Sequence, residues 1–354
     1  MLTNKNLFFL IIQAQIGIGI LGLPYILYND VHQDSWISLL IAGVLAQGVI
    51  IVLVALSKVS PKNTLYELNL KLLGNFFGKT LNFMYILYFI AVSMLLILLV
   101  TDVINTWILH QTPRWAIILL LLLASSYIAK EHLLTISKTF LFFSILFIVL
   151  IFLLILVYSK ADINVGRLLP IGASGFIPIL KASPDAFVSL IGFEFILFIM
   201  PFLKEPNKSL KVISLSNLFT VSLYLFLIIT CIIYFSGAQF SLVQQPLLYL
   251  FRGLSFEFVE RIDIIFLSFW LVPISTTLVI QLFNASLGVQ NLFSIQRKTS
   301  VYLIAFLLFG IGLFPVSPSL KESLSSLMTY LNIIFVFFIP ILLLIISKIR
   351  VKRT

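Results

Sequence analysis

Near its amino terminus the chain reads Gln13-Ala14-Gln15-Ile16-Gly17-Ile18-Gly19-Ile20-Leu21-Gly22-Leu23-Pro24. This stretch places three glycines and a proline in the middle of an apolar run, residues 7–28. Glycine and proline weaken an α-helix, by about 1 and about 3 kcal/mol in soluble proteins. If the run crosses a membrane, the backbone groups that a break frees need partners in protein or in a water-filled cavity. The stretch therefore predicts a broken transmembrane helix beside a cavity; the alternative is close helix packing through small residues.

The composition favours a membrane protein. Of the 354 residues, 61% are hydrophobic and 10% are charged, whereas soluble domains have roughly 45–50% and about 25%. A soluble protein of this length has too little interior for so much apolar surface. Disorder is excluded, and a single cysteine, Cys231, excludes a disulfide scaffold. The basic residues behind the net charge of +10 are scattered between apolar runs, which argues against nucleic-acid binding.

Apolar runs long enough to cross a bilayer, roughly 20 residues each, recur along the whole chain. They are too long and too uniform for the strands of a β-barrel. We predict an all-α polytopic membrane protein with about ten transmembrane helices in a single domain, residues 1–354. The predicted spans are 7–28, 36–57, 80–104, 113–129, 139–158, 185–203, 212–236, 262–285, 300–315 and 324–347.

The distribution of charge predicts the orientation, because lysine and arginine mark the cytoplasmic side. With the amino terminus inside, 16 of the 23 basic residues fall in inside loops and 7 fall in outside loops. Both termini are therefore expected inside. An even number of spans requires that they lie on the same side. Of the 13 acidic residues, nine lie outside or at the outer edge of a span and three lie inside, which leaves Glu194 alone in the interior of a span, where a carboxylate costs at least about 2.5–3.5 kcal/mol. Glu194 is either functional or a structural acid that a neighbour satisfies.

The sixth span contains a second break, in the stretch Ser189-Leu190-Ile191-Gly192-Phe193-Glu194-Phe195. Gly192 stands near the middle of the membrane, and the sixth span runs in the opposite direction to the first. Two breaks at matching depth are typical of an inverted repeat, here five spans plus five, with halves at about residues 1–158 and 185–347. Broken helices at corresponding positions of two such halves indicate a transporter-type binding site.

The ends of the broken helices predict what this site binds. Unpaired N–H groups and the positive dipole end favour a carboxylate at the start of the outer half, near Gly19 to Gly22. Free carbonyl groups favour an ammonium group or a cation at the end of the inner half. A zwitterionic amino acid fits both ends. The predicted ligand-binding residues are Gln15, Ile16, Gly17, Gly19, Ile20, Gly22, Tyr88, Gly192, Phe193 and Glu194.

Side chains near the breaks extend the predicted site. Tyr88 and Phe193 are expected to line an apolar pocket, and Glu194 is expected to accept the substrate amine or to carry a proton. In the eighth span, Ser275 and Thr276 are candidates for coordinating Na⁺ against the first helix. The alternative for these hydroxyl groups is a hydrogen bond to a carbonyl group of their own helix.

One inside loop, residues 60–79, is long enough to hold an amphipathic helix. Leu65, Leu68 and Leu72 recur there at helical spacing, with Pro61 expected near the first turn. The segment is predicted to lie on the membrane surface with its lysines toward anionic lipid.

The ten-span plan, the glycine run of residues 17–24 and Gly192-Phe193-Glu194 resemble the amino acid–polyamine–organocation transporter superfamily. Within it, the chain resembles the B-type subunit of spore germinant receptors, the spore germination permease family. The segments that carry this resemblance are Ser60–Glu67, Leu73–Lys79, Arg167–Pro170, Gly175–Leu180, Met200–Lys204 and Glu260–Asp263 leading into Trp270.

The resemblance implies a nutrient sensor in the spore inner membrane that holds the germinant. It also implies a complex with an A-type membrane subunit and a lipid-anchored C-type subunit. Transporter relatives often have twelve spans, whereas this chain has about ten. Some proton-coupled relatives place a lysine inside the fifth span, but here Lys138 stands at the inner end of that span. This difference favours a receptor over proton-coupled uptake.

Three functions are compatible with these features. The first is a germinant receptor subunit that binds its ligand between the first, sixth and eighth helices. The second is an amino-acid/cation symporter, and the third is an ion conduit that opens on a signal, with Glu194 in its path. An enzyme is not expected, because the chain has no nucleophile–base–acid set and no metal-ligand spacing. No cofactor or metal is expected either.

Overall fold

The computed structural model describes residues 1–160, 163–254 and 261–351. Almost all of this part of the chain is α-helical, and its one extended pairing is an isolated bridge between Leu2 and Leu203. The all-α prediction is confirmed for these residues. Glu260, which begins one of the family motifs, lies outside the described residues.

The described residues form sixteen α-helices, together with five short 3₁₀ helices and one π-helical segment. In chain order they are α1 (Asn4–Gln15), α2 (Gly19–Val31), α3 (Ser35–Val59), α4 (Leu65–Trp107), α5 (Arg114–Ala129), α6 (Leu133–Phe143), α7 (Ile145–Lys160), α8 (Phe176–Ser189), α9 (Ile196–Ile199), α10 (Ser209–Tyr234), α11 (Gly237–Phe240), α12 (Pro246–Arg252), α13 (Ile262–Phe293), α14 (Arg297–Gly312), α15 (Pro318–Asn332) and α16 (Ile339–Val351).

Helices occupy all ten predicted spans. Within the described ranges, six helices are long and apolar enough to cross a membrane, or seven when the bent pair Phe176–Ser189 and Phe193–Phe202 counts as one span. The other three predicted spans are too short on their own. The first is broken into halves of 12 and 13 residues, while the fourth and ninth correspond to α5 and α14, of 16 residues each. The number of spans therefore stays a prediction.

The inner loop before the third span folds as a separate short helix at the start of α4. Thr64 and Glu67 form a capping box, in which the N–H of Thr64 donates to Glu67 Oε2 at 2.7 Å. Pro61 lies in the turn before the helix and not in its first turn, because Thr64 supplies the cap. Gly74 then interrupts α4 with a φ of 79°, a conformation that glycine adopts at little cost.

The amino terminus is joined to the end of the sixth span. The N–H of Leu2 donates to the carbonyl of Phe202 at 2.7 Å, and the N–H of Lys204 donates to the carbonyl of Leu2 at 2.9 Å. Asn4 Nδ2 donates to Glu205 Oε2 at 2.6 Å. These contacts hold the start of α1 against the segment that follows the sixth span.

Other contacts join loops that the sequence assigns to one side of the membrane. At the end of the bundle that carries both termini, Arg350 donates to the carbonyl of Lys71 at 3.2 Å. At the opposite end, Asp102 forms ion pairs with Arg114 and Lys321. These contacts agree with the predicted grouping of loops; which end faces the cytoplasm stays a prediction.

The backbones of the first and sixth spans touch where both spans are broken. Gly192 has a φ of 143°. A Cβ atom at this position would lie 2.4 Å from the carbonyl carbon of Ala14 and 2.6 Å from the backbone nitrogen of Gln15. Glycine is therefore required by the dihedral angle and by the contact at once. The contact holds the two breaks together inside the bundle.

The substitution Gly192→Ala is expected to destabilise the protein by about 2–6 kcal/mol, because backbone strain and overpacking each cost about 1–3 kcal/mol. The measurement is the thermal unfolding midpoint in detergent. Gly48→Ala is the matched control, because Gly48 is exposed on α3 and its added Cβ would meet nothing within 4 Å. Equal unfolding midpoints for the two variants would contradict the contact.

Candidate functional site

The first span is broken at the glycine run, as predicted. α1 ends at Gln15, and the N–H of Ile16 closes its last turn on the carbonyl of Ile12 at 2.9 Å. α2 begins at Gly19 after a short non-helical segment. No side chain caps this start, and the N–H of Leu21 donates to the carbonyl of Ile18 at 3.1 Å, which leaves the N–H groups of Gly19 and Ile20 available to a ligand.

The sixth span is broken at the predicted position as well. α8 ends at Ser189, and the segment that begins at Phe193 is bent from it by 50°. Glu194 is 4% exposed, and its Oε2 accepts a hydrogen bond of 2.7 Å from the N–H of Gly192. The carboxylate is therefore oriented by the backbone of its own break.

Both breaks open on one cavity of about 980 Å³. It lies between α2, α4, α8, α13 and α15 and extends to the end of the bundle that holds Asp102. Six of the predicted ligand-binding residues line it: Gln15, Gly17, Gly19, Gly22, Tyr88 and Glu194.

The other four predicted residues lie elsewhere. Ile16 and Ile20 are buried and face a small apolar crevice on the opposite side of the first span, beside Trp270. Both residues line this crevice and neither lines the cavity, although the break of the first span lies between them. Gly192 packs against the backbone of the first span and does not line the cavity. Phe193 is fully buried near Phe187, with the ring centroids 6.2 Å apart.

Gln15 connects the two breaks. Its Nε2 donates to the carbonyl of Leu190 at 2.9 Å and to Asn217 Oδ1 at 3.2 Å, and its Oε1 accepts from Thr220 at 3.2 Å. The side chain is 2% exposed. Gln15 therefore has its polar atoms committed to the protein and positions the break of the sixth span against that of the first.

The hydroxyl groups of the eighth span bond to their own helix. Ser275 Oγ donates to the carbonyl of Leu271 at 2.8 Å, and Thr276 Oγ1 lies 2.8 Å from the carbonyl of Pro273. Thr276 Oγ1 also lies 2.7 Å from Gln13 Oε1, which ties the eighth span to the first. These are the contacts of the alternative to a sodium site; coordination of Na⁺ by Ser275 and Thr276 stays a prediction.

Several cavity residues were missed by the sequence prediction. Thr277 and Gln281, four residues apart on α13, line the cavity. On α15 the lining residues stand at the spacing of one helix face, which is a signal that the sequence contains. They are Ser325, Met328, Thr329 and Asn332. Asn332 also accepts a hydrogen bond of 2.7 Å from the hydroxyl of Tyr88.

The cavity thus combines groups of opposite polarity. The uncapped start of α2 supplies N–H groups and a positive dipole end, which attract an anion. The Glu194 carboxylate, when ionised, attracts a cation. Toward the end of the bundle opposite the termini, Asp102 lies between Arg114 and Lys321. Such an arrangement can bind a small molecule that carries both charges.

Comparison with known proteins agrees with the resemblance seen in the motifs. The model of the family described as "Spore germination protein" matches residues 1–321. The chain is 27% identical to spore germination protein YndE of Bacillus subtilis (strain 168), over 99% of this chain and 97% of YndE. It is 26% identical to spore germination protein GerQB of Bacillus cereus, over 98% and 96% of the two chains. The resemblance is therefore confirmed.

The fold is similar to that of MhsT, whose structure was solved in complex with L-phenylalanine. The TM-score is 0.67 at 12% identity, and the match covers 97% of each chain. This similarity confirms the transporter-like fold class. Because the family model covers most of the chain and the relatives cover nearly all of it, the chain belongs to the spore germination protein family.

Proposed function

We propose that the chain is the nutrient-sensing subunit of a spore germination receptor complex and that it binds an amino acid in the cavity between the first, sixth and eighth spans. Ligand binding shifts the balance between two conformations of the subunit. The shift is limited by the difference in affinity of the ligand for the two conformations. The proposed role includes no catalytic step and no cofactor.

One observation carries this proposal: the two broken helices meet at a single cavity. The uncapped start of α2 and the carboxylate of Glu194 both line it. An amino acid places a carboxylate and an ammonium group on one carbon atom, which suits this pair of groups. Leu95, Leu96 and Leu99 of α4 also line the cavity and offer apolar surface to a side chain.

The comparisons support the class of ligand and the assembly. MhsT, which has a similar fold, was solved with L-phenylalanine, and this supports an amino acid as the ligand. Membership of the spore germination family supports a complex with A-type and C-type receptor subunits in the spore inner membrane. The excess of basic residues in the predicted inside loops supports an orientation with both termini inside.

An amino-acid/cation symporter is the second candidate. It uses the same cavity, and the similarity to the fold of MhsT favours it. It has less support than the sensor, because the hydroxyl groups of Ser275 and Thr276 bond to carbonyl groups of their own helix. An ion conduit rests on Glu194 alone.

The substitution Gly22→Leu is expected to weaken binding at least tenfold. An added Cβ at Gly22 would meet nothing within 4 Å, so the leucine enters the cavity and competes with the ligand without disturbing the packing. The measurement is binding of the twenty radiolabelled L-amino acids to the purified protein in nanodiscs. Gly48→Leu is the matched control, because that position is equally open but lies on the exposed face of α3. Unchanged affinity in Gly22→Leu would place the site elsewhere.

The substitution Glu194→Gln is expected to lower affinity by about tenfold to a hundredfold, as hydrogen bonds to charged groups contribute about 1.5–3 kcal/mol. Glutamine keeps an oxygen that can accept from the N–H of Gly192, so the fold of the break is retained. Binding is measured in the same assay, with Glu322→Gln as a control for loss of an exposed acid outside the cavity. An equal effect of the two substitutions would exclude Glu194 as the ammonium-binding group.

The sensor and the symporter differ in flux. In liposomes that contain the protein alone, a sensor is expected to bind the amino acid identified above without accumulating it. The measurement compares bound and internalised label, with and without a sodium or proton gradient. Gradient-driven uptake that Gly22→Leu abolishes would establish the symporter, whereas ligand-evoked cation currents that Glu194→Gln abolishes would establish the conduit.

A further inference from the structure

A group of basic side chains gathers at the kink of α4, at the end of the bundle that carries both termini. Lys71 Nζ donates to Asn63 Oδ1 at 2.8 Å, which brings Lys71 beside Lys62. Arg350, from the last helix, donates to the carbonyl of Lys71 at 3.2 Å. Three basic residues from two separate parts of the chain therefore lie close together.

A fourth basic residue joins them because the chain folds back at Gly74. Gly78 packs so closely on the preceding short helix that a Cβ there would lie 2.8 Å from the Cα of Leu70. This contact brings Lys79 to the turn that contains Lys71. The four residues are all exposed. We call Lys62, Lys71, Lys79 and Arg350 the basic patch.

The patch has no acidic counterpart in the described part of the chain. None of its four residues forms an ion pair there. The nearby acid, Glu67, accepts hydrogen bonds from the N–H and the hydroxyl of Thr64 at 2.7 and 3.2 Å, as part of the helix cap. The patch therefore presents four positive charges to an anion from outside the chain.

Two large aromatic side chains lie next to the patch. Phe76 is 77% exposed and Phe77 is 68% exposed, and both follow directly on the kink at Gly74. They stand just before the predicted third span, residues 80–104, where the boundary between headgroups and hydrocarbon is expected. An apolar surface beside basic residues at this depth suits a molecule with an anionic head and an apolar tail.

We propose that the basic patch, together with Phe76 and Phe77, is a binding site for an anionic phospholipid. The phosphate group lies among Lys71, Lys79 and Arg350, and the acyl chains lie against the two phenylalanines. A lipid bound there joins α4 to α16 through the contact between Arg350 and Lys71. The site lies outside the cavity and is independent of the ligand proposed for it.

The test uses the full-length protein in nanodiscs of phosphatidylglycerol and phosphatidylcholine, followed by native mass spectrometry of the retained lipid. The double substitution Lys71→Gln with Lys79→Gln removes two charges. It is expected to lower retained phosphatidylglycerol about fivefold per charge, because one basic residue near an anionic surface changes the affinity by about that factor. Retained phosphatidylcholine is expected to stay unchanged. The matched control is Lys138→Gln with Lys211→Gln, two exposed lysines outside the patch.

A second pair of variants separates a lipid site from a site for free phosphate. Phe76→Ser with Phe77→Ser is expected to lower phosphatidylglycerol retention, whereas Phe142→Ser, at a position 71% exposed on α6, is expected to leave it unchanged. An equal loss of retained phosphatidylglycerol in the Lys71/Lys79 variant and the Lys138/Lys211 control would show only a general attraction of anionic lipid to basic surface residues. That result would overturn the site. Unchanged phosphatidylglycerol retention in the Phe76/Phe77 variant would also overturn it, because the site would then recognise the phosphate group alone. Unfolding midpoints confirm that each variant is folded.

Discussion

The structure depends on one contact between two backbones inside the membrane. At Gly192 the broken sixth span lies directly on the backbone of Ala14 and Gln15 in the broken first span. A helix presents side chains to its neighbours, so two intact helices cannot come so close without small residues at the interface. Here the sixth span is non-helical at Gly192 and the first span is at the last turn of α1, and the absent side chain of glycine lets the two backbones meet.

The cost of this contact is the loss of helical hydrogen bonds in an apolar medium, and nearby polar side chains offset it. The amide of Gln15 bonds to the carbonyl of Leu190, while Gln13 accepts from Thr276 and donates to Ser144. Two glutamines, two residues apart and so on different faces of α1, therefore connect the end of this helix to the helices around it. The groups that remain without protein partners, at the start of α2, face the cavity. In this way the backbone that the breaks expose lines the cavity that we propose as the binding site.

The sequence predicts the position of the breaks well, because glycine weakens a helix locally, whereas Pro24 lies within α2 and does not interrupt it. It predicts less well which side chains face the cavity. The pattern predicts Ile16 as a site residue for its free carbonyl group and Ile20 for its place in the glycine run, but both residues line the crevice beside Trp270. Rotation about the axis of a broken helix depends on packing with distant spans, which local pattern does not contain. The same limit hid Asn332, whose contact with Tyr88 joins residues far apart in the chain.

The bridge between Leu2 and Leu203 has a consequence for how the molecule changes shape. It joins the start of α1 to the end of the segment Phe193–Phe202. Gly192 joins the end of α1 to the start of that segment. The two half-helices are thus connected at both ends, and we expect them to move as one rigid unit. Any motion that parted them would first have to break two backbone hydrogen bonds and the contact of Asn4 with Glu205. A polypeptide fused before Leu2 would be attached directly to that rigid unit.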